Sequence, residues 1–358
     1  MSGGVDSSTA AAILVREGHI VEGVFLDLWD CRLAGRKGRA TCCSPRDRTD
    51  AQSVAEHLGI TLRVLELGKA FREMVVEDFV RAYGEGRTPN PCILCNERVK
   101  FGTLLQMALS EGGDCVATGH YATNEWDDSA GLFRLKKARD RQKDQSYFLF
   151  SLRQEQLSRI LLPLGGLSKA TVRSMARSWG LPVALKAESQ EICFIPDRDY
   201  RGFVETYLPP EDLRPGSIVD GGGRILGRHR GIHSFTVGQR RGIGIPWREP
   251  LYVVEIRPAT REVVVGPKAE LSARALEAEG TTWVAAPPSS NPFRAMARIR
   301  HRHREAWATI TRMGGGRARV EFDVPQAAIT PGQAVVFYEK DEVLGGGWIR
   351  KVLDRHEV

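Results

Sequence analysis

"SGGVDSSTAAAILVREG", residues 2–18, decides how the first half of the chain is read. Gly3 and Gly4 allow a tight turn and a close approach of backbone to an anion. The turn runs straight into an apolar helical pattern. The helix start adds oriented N–H groups and the positive end of its dipole. Ser2, Ser7 and Ser8 add hydroxyl donors. No lysine of the G-x-x-x-x-G-K-[ST] kind is present, so the loop is not of the Walker type. A nest of this kind suits free or leaving pyrophosphate, and Asp6 stands where a carboxylate helps to hold Mg²⁺. On its own the stretch also reads as a Gly-Gly turn with a Ser/Asp helix cap.

Working outward, residues 20–26, 61–67 and 114–119 are short apolar runs rich in β-branched side chains. Helical patterns fill 7–17, 45–58, 69–83 and 99–111, and a further helix follows Ser168 with Val172, Met175, Ala176 and Trp179 on its apolar face. Ser44-Pro45 reads as N-cap and first helical residue, and Gly59 and Gly112 as helix stops. Strands alternating with helices predict a Rossmann-like parallel sheet covered on both faces. After about residue 205 the texture becomes β-rich. A helical stretch is expected at 269–279, and beyond it "AMARIRHRHR", "WATIT", "RARVEF", "AVVFY" and "WIRKVL" read as the strands of a small barrel. The expected domains are 1–205, a small β-rich central domain over 206–275, and a C-terminal β-barrel over 276–358.

The composition, 42% hydrophobic and 27% charged, is that of an ordinary soluble protein with a real core. No apolar run is long enough for a membrane span, and the N-terminus shows no signal-peptide pattern. Seven cysteines without scaffold spacing fit a reducing, cytoplasmic compartment. The net charge of +7 is concentrated late: residues 206–358 carry 23 Lys and Arg against 17 Asp and Glu. That asymmetry suggests a polyanionic partner.

The S-G-G-V-D-S string resembles the signature of the N-type ATP pyrophosphatases, which split ATP to AMP and pyrophosphate while adenylating a substrate. "GRTPNPCILCN" (86–96), "ATGHY" (117–121), "KDQSYFL" (143–149) and "ICFI" (192–195) follow in order. Together these resemble the tRNA-specific 2-thiouridylases, the MnmA family, over essentially the whole chain. In that family a strand leads into the loop. Here the loop starts at Ser2, so either an upstream start or a sheet lacking a central strand is expected, the latter less stable.

The resemblance implies an enzyme that replaces O2 of the tRNA wobble uridine with sulfur, the oxygen first being adenylated by ATP. Ser2, Gly3, Gly4, Val5, Asp6, Ser7 and Ser8 would hold the phosphates, with Leu26 and Gly119 lining the adenine pocket. Cys193 would carry sulfur as a persulfide received from an upstream sulfur carrier or cysteine desulfurase relay. Cys95 would release it and leave a Cys95–Cys193 disulfide. Both thiols should be electropositive and partly open. Many family members have an aspartate where this chain has Cys92. Cys92, Cys95 and Cys193 therefore form a possible ligand set for a [4Fe–4S] cluster that binds hydrosulfide. Zinc through Cys42, Cys43, Cys92 and Cys95 has poor chelate spacing. Cys31 and Cys115 read as structural.

The resemblance also places Asn90, Pro91 and Cys92 around a flipped base, with His120 nearby. It puts Lys143, Asp144 and Gln145 at the tRNA surface, and Arg300, His301 and Gln333 on the anticodon arm. "RLKKARDRQK" (134–143) holds six basic residues, and by itself also reads as a solvated loop. On a strand, period two would align Arg298, Arg300, Arg302 and Arg304 on one face for phosphates. Two rival functions remain: another adenylating pyrophosphatase, which needs no paired thiols, and a non-enzymatic RNA-binding protein, which needs no intact loop.

Overall fold

The structure, a computed structural model, describes residues 1–29, 45–188, 192–195, 199–285 and 287–353. Two compact units divide the chain. The first comprises Met1–Val76, Pro91–Asp199 and Asp341–Val343, and the second Glu77–Asn90, Tyr200–Lys340 and Leu344–Val358.

In the first unit, helix α1 (Val5–Arg16) starts just after the double glycine, with Asp6 in its first turn and Arg16 in its last. Both charges complement the helix dipole. Strand β1 (Gly23–Asp27) pairs in parallel with β2 (Leu62–Glu66), in register from Gly23↔Leu62 to Asp27↔Glu66. Between them runs α2 (Pro45–Leu58), opened by its proline and followed by Gly59 at φ 66°. The β3 strand (Val116–Ala117) is followed by an antiparallel hairpin of β4 (Ala122–Asp127) and β5 (Leu132–Lys137). It pairs in parallel with β6 (Ile160–Leu161). Among the described residues the parallel sheet thus consists of two separate pairs. The helix Lys169–Ser178 is capped by Ser168, whose hydroxyl accepts from the Thr171 N–H. Its Val172 and Ala176 pack against Val5, Ala10 and Ala12 of α1. Two helical stretches in this part of the chain are partly π-wound: Arg72–Val76, and Cys95–Leu104 directly after the short helix Pro91–Leu94.

The second unit begins with helix Glu77–Gly84, whose Tyr83 stacks on Tyr200 at 4.9 Å between ring centroids. A four-stranded sheet follows, made of β7 (Gly216–Val219), β8 (Ile225–His229), β9 (Tyr252–Arg257) and β10 (Glu262–Gly266) in the order β8-β7-β10-β9. Its buried face carries Ile218, Val253, Val263 and Val265. The last six strands are β11 (Ser272–Trp283), β12 (Phe293–Arg298), β13 (Ala306–Met313), β14 (Arg317–Ala327), β15 (Ala334–Glu339) and β16 (Glu342–Leu353). They run β11-β14-β13-β12-β15-β16 and close by pairing of β11 with β16. Inward-facing Leu276, Ala295, Ala297, Ile310, Val320 and Phe337 fill this barrel.

Two sequence expectations fail here. Residues 269–279 are not helical: a short 3-10 turn ends at Leu271, and β11 takes the rest. Its Ala, Leu and Glu favour helix locally, but ladders with β14 on one side and β16 on the other override that preference. The arginine-rich strand also ends early, at Arg298. Residues 299–304 bend, with the His303 N–H donating to the Arg300 carbonyl at 3.0 Å. Arg298 is drawn inward to Glu305 at 2.6 Å and lies over the Tyr338 ring, so the four arginines do not share a strand face.

Candidate active site

The loop before α1 is locked by close backbone packing. Gly3 has φ 66°, and a Cβ there would sit 2.2 Å from the Asp47 carbonyl oxygen at the start of α2. Gly119 also lies close to the next turn, where a Cβ would meet the Asp6 carbonyl carbon and the Ser7 nitrogen at 2.7 Å. Gly4 is the extended N-cap, and no side chain caps the helix. The first-turn N–H groups of Val5, Asp6 and Ser7 have no acceptor within the helix. The Ser7 hydroxyl lies 3.1 Å from the Ser2 hydroxyl and accepts from the Ser2 N–H. The fully buried Ser8 instead donates its hydroxyl to the Gly4 carbonyl at 2.8 Å, so it closes the turn rather than facing outward. Val5 belongs to the core, and half-buried Leu26 packs with Leu104, Leu105 and Val116.

Charged groups that the sequence reading missed stand behind this loop. Lys169 donates to both Asp6 oxygens, at 2.6 and 2.8 Å, and pairs with Glu188 Oε1 at 2.8 Å. The Tyr121 hydroxyl donates to Asp6 Oδ1 at 2.9 Å. Burial first, and then the Asp6 carboxylate, push the Tyr121 hydroxyl pKa up. Lys186 donates to the Gly3 carbonyl and to Asp47 and Asp50. Burial would lower the Lys186 pKa, but the bonds to these two carboxylates outweigh it and raise it. Lys143 binds Glu188 Oε2 at 2.6 Å. The sequence singles out Lys143 for RNA, not for this contact. Of the lysines that were missed, only Lys169 carried a sequence signal, as a cation in the first turn of a helix, where the dipole disfavours one.

The thiols lie in the same unit as the loop. Cys92 is exposed and Cys193 half-buried, but Cys95 is only 8% exposed, so the expectation of two open thiols holds for Cys193 alone. Burial of Ile93 and Leu94 fixes this turn, and the π-wound run starts at Cys95 itself. Beside Cys193, Phe194 is buried edge-on against Phe71 at 5.6 Å and tilted against Trp29 at 6.2 Å. The helix that carries Phe71 also packs along the run that begins at Cys95. Among the described residues, no group of three or more His, Cys, Asp or Glu is arranged to hold a metal ion. Cys92, Cys95 and Cys193 form no such group, and the Asp6 oxygens accept from Lys169 and Tyr121. Cys31, Cys42 and Cys43 lie outside the described residues.

The residues assigned to RNA separate into exposed and structural positions. Asp144 is buried, accepting from the N–H groups of Ala138 and Ser146 and from the Ser146 hydroxyl. Gln145 is tied to Tyr121 by two hydrogen bonds, one through its backbone N–H and one through its side-chain oxygen. His120 lies 2.9 Å from the Thr118 hydroxyl; burial, then the Lys100 charge, hold its pKa well below the usual value. It is therefore neutral near pH 7. The basic run 134–143 is largely ion-paired: Arg134 with Asp127 and Glu342, Lys136 with Glu125, Arg141 with Asp341. In the second unit, Arg300 is exposed and caps the Ala327 carbonyl at 3.2 Å, and His301 is half-buried. The Gln333 amide donates to the carbonyls of Thr88 and Pro89, at 3.0 and 3.3 Å, just before Asn90. Pro91 is buried and belongs to the first unit.

Three family models match the chain: a tRNA methyl transferase HUP domain over residues 1–197, a tRNA methyl transferase PRC-barrel domain over 201–267, and an aminomethyltransferase β-barrel domain over 273–349. The chain is 51% identical to the tRNA-specific 2-thiouridylase MnmA of Geobacter metallireducens, over 98% of this chain and 95% of that one. It is also 51% identical to the protein of that name from Syntrophotalea carbinolica, over 98% and 97%. For the Moorella thermoacetica relative, again of that name, the identity is 48%, over 98% of each chain.

Proposed function

The chain belongs to the tRNA-specific 2-thiouridylase MnmA family, and from that premise we propose that it is an ATP-dependent sulfurtransferase acting on the wobble uridine of tRNA. The observation that carries this reading is the uncapped start of α1 behind Gly3 and Gly4, in the same unit as Cys95 and Cys193. That loop suits the pyrophosphate of ATP, with Leu26 and Gly119 beside the adenine.

The chemistry requires two activations. A carbonyl oxygen leaves poorly, so uracil O2 attacks the α-phosphorus of ATP, and pyrophosphate departs onto the first-turn N–H groups. Cys193 carries the sulfur as a persulfide delivered by a sulfur-carrier protein or a desulfurase relay. The Cys95 thiolate attacks the Cys193 Sγ, a Cys95–Cys193 disulfide forms, and hydrosulfide leaves. Hydrosulfide adds at C2 and AMP departs with the former O2. A dithiol reductant then restores both thiols. Because Cys95 is buried, its segment must open for this exchange, and the π-wound stretch is where we place that opening.

Residues 1–205 are assigned to adenylation and sulfur transfer, 206–275 to a connecting domain, and 276–358 to tRNA. Asn90, Pro91 and Cys92 surround the flipped base, with His120 as a neutral hydrogen-bonding group. Lys143, Arg300 and His301 serve as RNA contacts, with Asp144, Gln145 and Gln333 shaping the segments that present them. The test is incubation with ATP, Mg²⁺, a sulfur donor and unmodified tRNA carrying ¹⁸O at uridine O2. Formation of 2-thiouridine together with ¹⁸O-labelled AMP supports the reading. Thiolation with unlabelled AMP removes the adenylation step, and no thiolation removes the function.

A further inference from the structure

We propose that Lys186 is a positioning residue of the phosphate loop: it holds the Gly3–Gly4 peptide so that the Gly4 N–H faces the pyrophosphate. This rests on the reading above that the loop binds pyrophosphate. Lys186 Nζ donates to the Gly3 carbonyl at 2.9 Å, to Asp47 Oδ1 at 2.6 Å and to Asp50 Oδ2. An ammonium has three donors, and all three are used. None is left for a phosphate, so Lys186 acts through Gly3 rather than by touching the ligand.

In a planar trans peptide the C=O and the following N–H point in opposite directions. Drawing the Gly3 carbonyl toward Lys186 therefore turns the Gly4 N–H away from it. The Gly3 Cα is pressed against the same side, since a Cβ there would sit 2.2 Å from the Asp47 carbonyl oxygen. The start of α2 thus fills one side of the loop and leaves the other for the anion. Gly4 N–H donates to no group among the described residues, and no side chain caps the helix. Lys186 is itself fixed: its N–H donates to the Val183 carbonyl at 2.9 Å, and Arg173 donates to its carbonyl at 3.3 Å. Asp47 and Asp50 keep the ammonium protonated.

The experiment is titration of the ¹⁵N-labelled full chain with inorganic pyrophosphate, reading the Gly4 amide resonance and the dissociation constant. In the wild type the Gly4 amide should move on binding. Lys186→Met should weaken pyrophosphate about tenfold, the usual cost of one charge-assisted donor, and leave tRNA affinity unchanged. Asp50→Asn removes an ion pair but keeps the Gly3 bond, so it should stay within about twofold of wild type. A folded Lys186→Met that binds pyrophosphate like wild type overturns the proposal, as does an Asp50→Asn loss equal to that of Lys186→Met. If Lys186→Met does not fold, the wild-type resonance decides: pyrophosphate binding with a still Gly4 amide overturns the proposal. A wild type that binds no pyrophosphate overturns the loop reading itself.

Discussion

Lys169 Nζ lies 2.6 Å from Asp6 Oδ1, so an ammonium in the first turn of one helix neutralises a carboxylate in the first turn of another. An unneutralised Asp6 would repel the phosphates that the loop is proposed to hold. Glu188 completes the arrangement, accepting one hydrogen bond from Lys169 and one from Lys143.

That arrangement makes stability acid-sensitive. Burial alone would raise the Glu188 pKa, but its bonds to Lys143 and Lys169 bring it down to about 2. A folded pKa below the unfolded value of about 4.3 gives stability that is present above that value and lost as pH falls toward 2. Urea unfolding of the wild type should lose on the order of 2 kcal/mol more than Glu188→Gln across that window. Parallel acid profiles for the two proteins would contradict this.

Glycine substitutions should separate sharply. Gly3→Ala and Gly119→Ala drive a Cβ into backbone at 2.2 and 2.7 Å, whereas Gly166→Ala meets nothing within 4 Å. The first two should lose at least about a hundredfold in ATP-dependent turnover, about 3 kcal/mol of loop distortion. Gly166→Ala should keep near-wild-type rates. Steady-state kinetics with tRNA read all three.

Thiol labelling should follow burial. In the protein without tRNA, iodoacetamide should modify exposed Cys92 at least about tenfold faster than Cys95, which is 8% exposed. Exposed Cys115 should lag behind Cys92, because burial of its thiol and then the Asp114 charge raise its pKa. Peptide mass spectrometry over time gives the order. Cys95 labelling first would mean that its segment is open without substrate.

The barrel arginines should split into two behaviours. Arg298 and Glu305 are 13% and 12% exposed and paired at 2.6 Å, so Arg298→Met should cost about 3 kcal/mol of stability. Arg300→Ser, Arg302→Ser and Arg304→Ser should leave stability within about 0.5 kcal/mol, weaken tRNA binding, and each lower the salt slope by about one if it meets a phosphate. Binding measured at several salt concentrations separates the two classes.

Much of this was legible because it is local. Gly3-Gly4, Pro45, Gly59 and Ser168 each act within one turn of chain, and a helix starts or stops beside each as expected. The charged ring behind the loop was not legible, because Lys186 finds Gly3, Asp47 and Asp50 across 183, 139 and 136 residues. Ser8 was assigned to phosphate by its hydroxyl, yet that hydroxyl turns back onto Gly4, a choice set by its burial. Residues 269–279 show the opposite limit: helix-favouring side chains become a strand because two neighbouring strands bond them. Strict alternation over Arg298–Arg304 failed because the strand stops at Arg298 and the chain bends after it, while Arg298 itself turns to Glu305, neither of which periodicity reveals.

The most direct measurement starts from protein charged with ³⁵S as a persulfide on Cys193, mixed with ATP and unmodified tRNA for a single turnover. The label should move from Cys193 to 2-thiouridine in the wild type and stay on the protein in Cys95→Ser. Thiouridine that forms without label, or a Cys95→Ser variant that transfers it at the wild-type rate, would contradict sulfur passing between these two thiols.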